Sequence, residues 1–118
     1  MIEKTIRNHL RKLLNDPVYL DVPANPPARY YKLEKTGSGE EDHICTATFA
    51  LQSHAPTLLE TLKMNYAGIA AMKKAVRLRV ISDVKFDGDY NFTDTTRKLH
   101  RYQAVFHITH YLRSETNG

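Results

Sequence analysis

The chain has 118 residues, of which 42% are hydrophobic, and it carries 17 basic and 13 acidic side chains. These values are typical of one globular domain and exclude the collagen, coiled-coil and wholly disordered classes. The sequence has no run of about 20 apolar residues for a membrane span, no signal-peptide core after Met1, and only Cys45 as a thiol, so we expect a cytosolic chain without disulfides.

An amphipathic helix followed by two short strands is predicted at the start of the chain. Ile2, Ile6, Leu10, Leu13 and Leu14 recur at helical spacing, and Pro17 ends the pattern because the residue before a proline disfavours helix. After the helix, a strand is predicted at residues 18–22 and a second at 29–35, and a proline-rich connector at 23–27 separates them.

A glycine-rich and acidic segment comes next, at residues 36–42. It predicts a flexible acidic loop that becomes ordered against a partner. A phosphate-binding loop is disfavoured, because the segment lacks the Gly-Lys-Ser/Thr ending and its three adjacent acids repel phosphate. Residues 43–51 then predict a strand that buries Cys45, Ala47, Phe49 and Leu51 on one face.

A second helix is predicted to begin at a Ser53 cap and to continue through about Lys74. Gly68 within it would let another backbone approach closely. The apolar stripe expected to face the core is Leu58, Leu59, Leu62, Tyr66, Ile69 and Met72.

The last part of the chain predicts two strands, over residues 78–86 and 98–111, joined by the polar segment 87–97. We expect that segment to be a long hairpin arm or an ordered loop, and residues 112–118 to be a frayed tail. The element order predicts a single α+β domain over residues 1–118, with two helices packed on one face of a mostly antiparallel sheet.

No pattern in the sequence points to catalysis. His107 and His110 would lie on opposite faces of a strand, so they cannot share a metal ion, and the acidic pairs Glu40-Glu41 and Asp87/Asp89 fall in segments open to water. We therefore expect no enzyme activity, no cofactor and no metal site.

A small basic module that binds single-stranded nucleic acid is one alternative. Basic and aromatic side chains alternate in the second half of the chain, which is typical of a sheet that binds by charge and stacking. They are Arg77, Arg79, Lys85, Arg97, Lys98 and Arg101, interleaved with Tyr90, Tyr102 and Phe106.

Four segments in order give a resemblance that covers residues 2–111. They are Pro-Val-Tyr at 17–19, Tyr-Tyr-Lys-Leu-Glu-Lys-Thr-Gly at 30–37, Phe-Ala-Leu-Gln-Ser at 49–53 and Arg-Tyr-Gln-Ala-Val-Phe-His-Ile at 101–108. In this order and spacing the chain resembles the tail-completion or tail-terminator proteins of long-tailed bacteriophages and prophages.

The resemblance implies an α+β domain that assembles as a hexameric ring on the head-proximal end of the tail tube. Such a ring stops tube growth, docks the tail onto the head connector and lets the genome DNA pass, first in the host cytoplasm and then in the virion. A neighbouring neck or head-closure protein is a further alternative.

The residues suggest where such a ring would be joined. Residues 1–61 hold seven basic and eight acidic side chains, whereas residues 62–113 hold ten basic and four acidic ones, which would suit a head-to-tail contact. The residues expected at the interfaces are Lys35, Gly37, Gly39, Glu40, Glu41, Asp42, Asp87, Asp89, Arg97 and Lys98.

Overall fold

The computed structural model of the chain describes residues 1–97 and 99–111. It has the predicted α+β fold, with two α-helices on one face of a five-stranded, mostly antiparallel sheet. The elements in chain order are α1 (Ile2–Leu13), β1 (Val18–Tyr19), β2 (Tyr30–Glu41), β3 (Ile44–Ala55), α2 (Leu58–Lys73), a 3-10 turn (Lys74–Arg77), β4 (Ile81–Asn91) and β5 (His100–His110). The strand order is β1-β2-β3-β5-β4, and only β1 and β2 are parallel. Lys98 and the predicted frayed tail, residues 112–118, lie outside the described residues.

The core lies between the sheet and the two helices. The inward face predicted for β3 is confirmed, because Phe49 and Leu51 are buried there together with Tyr31 from β2. The Tyr31 hydroxyl donates a hydrogen bond to the carbonyl of Met64 in α2, at 2.8 Å. This bond satisfies the phenol away from water and fixes α2 to the sheet.

The amphipathic character predicted for α1 is confirmed. Ile2, Ile6 and Leu10 are its buried residues, whereas Leu13 is 46% exposed, and the helix ends where the backbone of Leu14 becomes extended. The strand predicted after it is shorter than expected, since only Val18 and Tyr19 pair with β2 and the chain bends at the next residue.

The prediction of a flexible loop at residues 36–42 is wrong. β2 continues through Glu41 and pairs with β3 across a two-residue turn at Asp42 and His43. Both turn residues have positive φ, 51° and 69°, as tight hairpin turns require. Pairing with β3 supplies the backbone hydrogen bonds, so the strand persists through Gly37 and Gly39 despite their low strand propensity.

The predicted start of the second helix is also wrong. Ser53 lies inside β3 and is buried, while α2 begins at Leu58 with Thr57 as its N-cap. The Thr57 hydroxyl oxygen accepts from the amide of Glu60 at 3.2 Å and its hydroxyl donates to the Glu60 carboxylate at 2.8 Å. Thr57 and Glu60 thus satisfy helix-start groups that Ser53, held within the sheet, cannot reach.

The face of α2 that packs on the sheet differs from the predicted stripe. Its buried residues are Thr61, Met64, Asn65, Gly68, Ala71 and Met72. The polar members are paired: the Thr61 hydroxyl donates to the carbonyl of Thr57 at 2.7 Å, and the Asn65 amide donates to the carboxylate of Asp89 at 2.7 Å. Leu59 and Tyr66, which were expected inside, are 62% and 66% exposed.

The polar segment 87–97 was predicted to be either a long hairpin arm or an ordered loop, and it forms a hairpin. β4 continues to Asn91 alongside β5, and a bridge between Asp94 and Leu99 closes the turn. Within it, the Asn91 side chain accepts from the amide of Thr93 at 2.9 Å. This hairpin turn lies at the opposite end of the sheet from the Asp42-His43 turn.

Candidate assembly surfaces

The turn between β2 and β3 forms an acidic surface, which we call the hairpin tip (residues 40–44). Every residue of the tip is exposed, including Ile44 at 45%. Glu41 and Asp42 take part in no ion pair within the described residues. An open depression of about 490 Å³ lies here, lined by Gly39, Glu40, Glu41, Asp42, Ile44 and Thr46. The tip therefore combines an apolar side chain with the negative charges of Glu41 and Asp42.

A basic surface follows the C-terminal end of α2, and we call it the basic segment (residues 73–79). Its four cations are Lys73, Lys74, Arg77 and Arg79, all exposed. The Lys73 ammonium lies 5.5 Å from the centre of the Phe86 ring. Cations at this position also interact favourably with the negative end of the helix dipole.

The hairpin tip and the basic segment lie at the same end of the sheet but at opposite edges. One rung of the sheet connects Glu40, Cys45, His110 and Ile81, and the basic segment leads directly into Ile81. Three strand spacings separate the ends of this rung, which is roughly 14 Å. At this level β2 is an edge strand, because β1 pairs only with Tyr31 and Lys32. A tip at one edge thus faces away from the cations at the other edge.

The free edge of β4 is a poor receptor for the tip. It carries Asp83, Asp87 and Asp89 against a single Lys85. Charged residues on an edge strand oppose pairing with another strand, and three aspartates repel a partner of the same sign. The basic segment next to β4, by contrast, carries the charge opposite to that of the tip.

The remaining residues predicted at the interfaces do not join the tip. The Lys35 ammonium pairs with Glu3 of α1 at 3.2 Å, Asp87 with His107 at 3.5 Å and Arg97 with Asp94 at 4.0 Å. Asp89 points toward α2, where it accepts the Asn65 bond, and Lys98 is outside the described residues. The structure thus separates the two predicted interface segments and brings only Glu40, Glu41 and Asp42 together at the tip. Gly37 and Gly39 lie in the adjoining part of β2, where Gly39 lines the depression.

The sheet face opposite the helices carries an aromatic cluster. Tyr30 and His54 stack with ring centres 4.5 Å apart, and the guanidinium of Arg101 lies 4.5 Å from the centre of the Phe92 ring. Burial, together with the positive charges of Arg101 and Lys32, lowers the pKa of His54 to about 4. His54 is therefore neutral at pH 7, and the cluster is held by stacking.

Two aromatic residues of the nucleic-acid alternative lie on the other side of the sheet. Phe106 is fully buried in the core, and Tyr102 occupies the same inward register of β5. Tyr90 is 50% exposed on the open face, where its hydroxyl is hydrogen-bonded to Gln103. Only part of the predicted stacking surface is therefore available to a ligand.

The exposed face of α2 is a surface that the sequence interpretation missed. It forms a stripe at helical spacing, which we call the outer stripe, made of Leu59, Leu62, Lys63, Tyr66 and Ala70. The signal was present in the sequence, since α2 has more large apolar residues than one helix face can bury. A helix that is apolar on all sides is usually covered on all sides.

The described residues contain no group of three His, Cys, Asp or Glu side chains placed to share a metal ion. His107 is exposed and His110 is buried, as expected for positions on opposite faces of a strand.

No helix in residues 1–97 and 99–111 has the length and hydropathy to cross a membrane. Searches for similarity found no matching family model and no matching curated protein.

Proposed function

We propose that this chain is a structural protein of a phage or prophage virion, which caps the tail tube as a ring and joins the tail to the head. Two lines support the proposal. One is the resemblance of residues 2–111 to tail-terminator proteins. The other is the placement of an acidic tip and a basic segment at opposite edges of one end of the sheet, and this observation carries the argument.

Such a placement favours head-to-tail assembly. A contact between two different surfaces is heterologous, so each subunit leaves one surface free for the next copy, and the chain of contacts closes into a ring when the rotation per subunit fits. The partners are then further copies of this chain, with six per ring in the family it resembles, together with the tail tube and head connector proteins. DNA is only the genome that passes through the ring, and the role needs no catalysis.

The experiment measures assembly as a function of concentration. We expect the purified chain to form a discrete ring with a central hole, seen by light scattering after gel filtration and by negative-stain imaging. Glu41→Lys should raise the concentration needed for assembly by at least about tenfold, because like charges brought together cost more than about 1 kcal/mol. Lys73→Glu should do the same, and the double variant should restore assembly.

A matched control is Lys85→Glu, which changes the same amount of charge on the free edge of β4. It should leave the assembly concentration unchanged. The proposal is contradicted by a chain that stays monomeric at every concentration. It is also contradicted when the double variant assembles no better than either single variant.

A neighbouring neck or head-closure protein would share these ring-forming surfaces. The two roles differ in what the ring binds. A terminator added to growing tail tubes stops their growth at the tube end, whereas a head-closure protein leaves tube length unchanged and binds the head connector instead. Tube lengths measured by negative-stain imaging, with and without the chain, distinguish them.

A nucleic-acid-binding module is the second candidate function. It is favoured by one observation, the exposed Tyr90 beside Arg101 and Phe92 on the open face of the sheet. Against it, Lys32 is paired with Glu34 at 3.8 Å, and Asp87 adds negative charge to the same face. A sheet that binds single strands needs a positively charged groove, and this face has mixed charge.

A further inference from the structure

We infer that the outer stripe of α2 is the seat for the hairpin tip of a neighbouring copy, with Ile44 of one copy packed on Tyr66 of the next. The inference rests on the proposed ring and names the surface at which its subunits meet. It begins from the three large exposed apolar residues of α2, Leu58, Leu59 and Tyr66. Leu59 and Tyr66 lie on the outer stripe, and the described residues leave them uncovered.

The chemistry of the stripe matches that of the tip. On the helix, Lys63 lies one turn before Tyr66 and Lys73 two turns after it, about 4.5 Å and 10.5 Å along the axis. On the tip, Ile44 lies directly opposite Glu41 in the strand register, and Asp42 follows Glu41 in the turn. Each surface therefore has an apolar side chain flanked by charge, and the signs are opposite.

The two surfaces lie on different faces of the domain, so they cannot meet within one copy. Ile44 shares the open face of the sheet with Thr46, because the residue between them, Cys45, is buried on the helix side. The outer stripe lies on the far side of α2 from the sheet. A tip seated on the stripe overlaps one domain on the next, which is the heterologous contact that a ring requires.

The size of the depression on the hairpin tip also favours one side chain of a neighbouring copy over a broader partner surface. The depression on the tip has about 490 Å³ and is open to solvent, and its lining includes Ile44 and Thr46 together with the acidic Glu40, Glu41 and Asp42. A tyrosine ring flanked by lysines matches this lining chemically, because the ring can pack on Ile44 while the ammonium groups pair with the carboxylates. The basic segment continues from the stripe and extends the same charge match.

The test uses disulfide formation between two differently labelled copies. One variant carries Cys45→Ala with Ile44→Cys, and the other carries Cys45→Ala with Tyr66→Cys, so that only a contact between copies joins them. We expect a mixed disulfide in at least about tenfold excess over a control pair, since docking raises the effective thiol concentration to the millimolar range. The control replaces Tyr66→Cys with Tyr90→Cys, which is similarly exposed on the open face.

Three outcomes overturn the inference. The first is a mixed disulfide no more abundant than in the Tyr90 control, and the second is preferential self-linking of the Tyr66→Cys variant, which indicates a symmetric dimer through α2. The third is full assembly by Tyr66→Ser, with Tyr90→Ser as its matched control. Sedimentation separates this inference from the proposed function: rings without the mixed disulfide refute only the interface, whereas mixed disulfides in open filaments support the interface and refute the closed ring.

Discussion

Replacing Gly68 by alanine tests how tightly α2 is seated on the sheet. A Cβ atom at this position would lie 2.8 Å from Leu51 Cδ2 and 3.3 Å from Tyr31 Cε1. Ordinary carbon contacts are about 3.5–4.0 Å, so the helix or its neighbours must move by about 1 Å. Leu51 and Tyr31 are each 1% exposed, and the Tyr31 hydroxyl is bonded to α2, which leaves little room for them to yield.

Two effects of opposite sign decide the result. Alanine gains about 1 kcal/mol over glycine in a helix interior, while overpacking a close-packed core costs about 1–3 kcal/mol. We expect a net loss of about 1 kcal/mol in the free energy of unfolding, or roughly 4 °C in Tm for a domain of this size. Urea unfolding followed by circular dichroism measures it.

Ala70→Gly is the matched control, because Ala70 is exposed on the same helix two residues away. It should lose about 1 kcal/mol from helix propensity alone. If Gly68→Ala is stabilised while Ala70→Gly loses stability as expected, the Leu51 side chain must move to admit the methyl group. The contact at Gly68 would then not set the distance between α2 and the sheet.

Three further predictions concern the helix start, pH and DNA. Thr57→Ala should cost about 1 kcal/mol of unfolding free energy by removing the cap, and Thr57→Ser should recover most of it; equal midpoints in urea for both variants would exclude the capping role. The pKa of His54 is lowered from 6.5 to about 4, so between these pH values the unfolded chain binds more protons than the folded one. Stability should therefore fall as the pH drops through this window, and His54→Gln should reduce the loss. Unfolding midpoints at pH 7 and pH 5 measure the effect, and an equal loss in His54→Gln would contradict it. Single-stranded DNA should bind weakly and with strong salt dependence; in a titration at two salt concentrations, tight binding that survives the higher salt would favour the nucleic-acid module over the ring.

The sequence predicted the elements whose patterns have one interpretation. Ile2, Ile6 and Leu10 define a single apolar stripe, and the alternation in residues 45–51 can only place one face inward, so α1 and the middle of β3 were correctly identified. These patterns depend on local periodicity, which tertiary contacts reinforce in this fold.

Where local preference and tertiary pairing disagree, the sequence was misleading. Residues 37–42 look like a loop by composition, but β3 offers a complete strand partner, and Asp42-His43 is a less recognisable hairpin turn than Asn-Gly or Asp-Gly. The prediction of the buried face of α2 was wrong for a different reason. Large apolar residues occur on both sides of α2, and the side that is buried is the one whose polar members, Thr61 and Asn65, find hydrogen-bond partners.

The assembly surfaces depend on juxtaposition, which a linear pattern does not contain. The acids of the tip are adjacent in the sequence and were predicted as a group, but their relation to Arg77 and Arg79 follows only from the rung that connects Glu40 to Ile81. Asp89 and Lys35, chosen by charge, form contacts within the chain instead.

The pairing of β3 with β5 has a consequence for the order in which the chain folds. The β2–β3 and β4–β5 hairpins bring together residues close in sequence, whereas the β3–β5 seam spans α2 and the whole of β4. Closing such a long loop is entropically costly and slows folding. We therefore expect changes along this seam, such as Phe106→Leu, to slow folding.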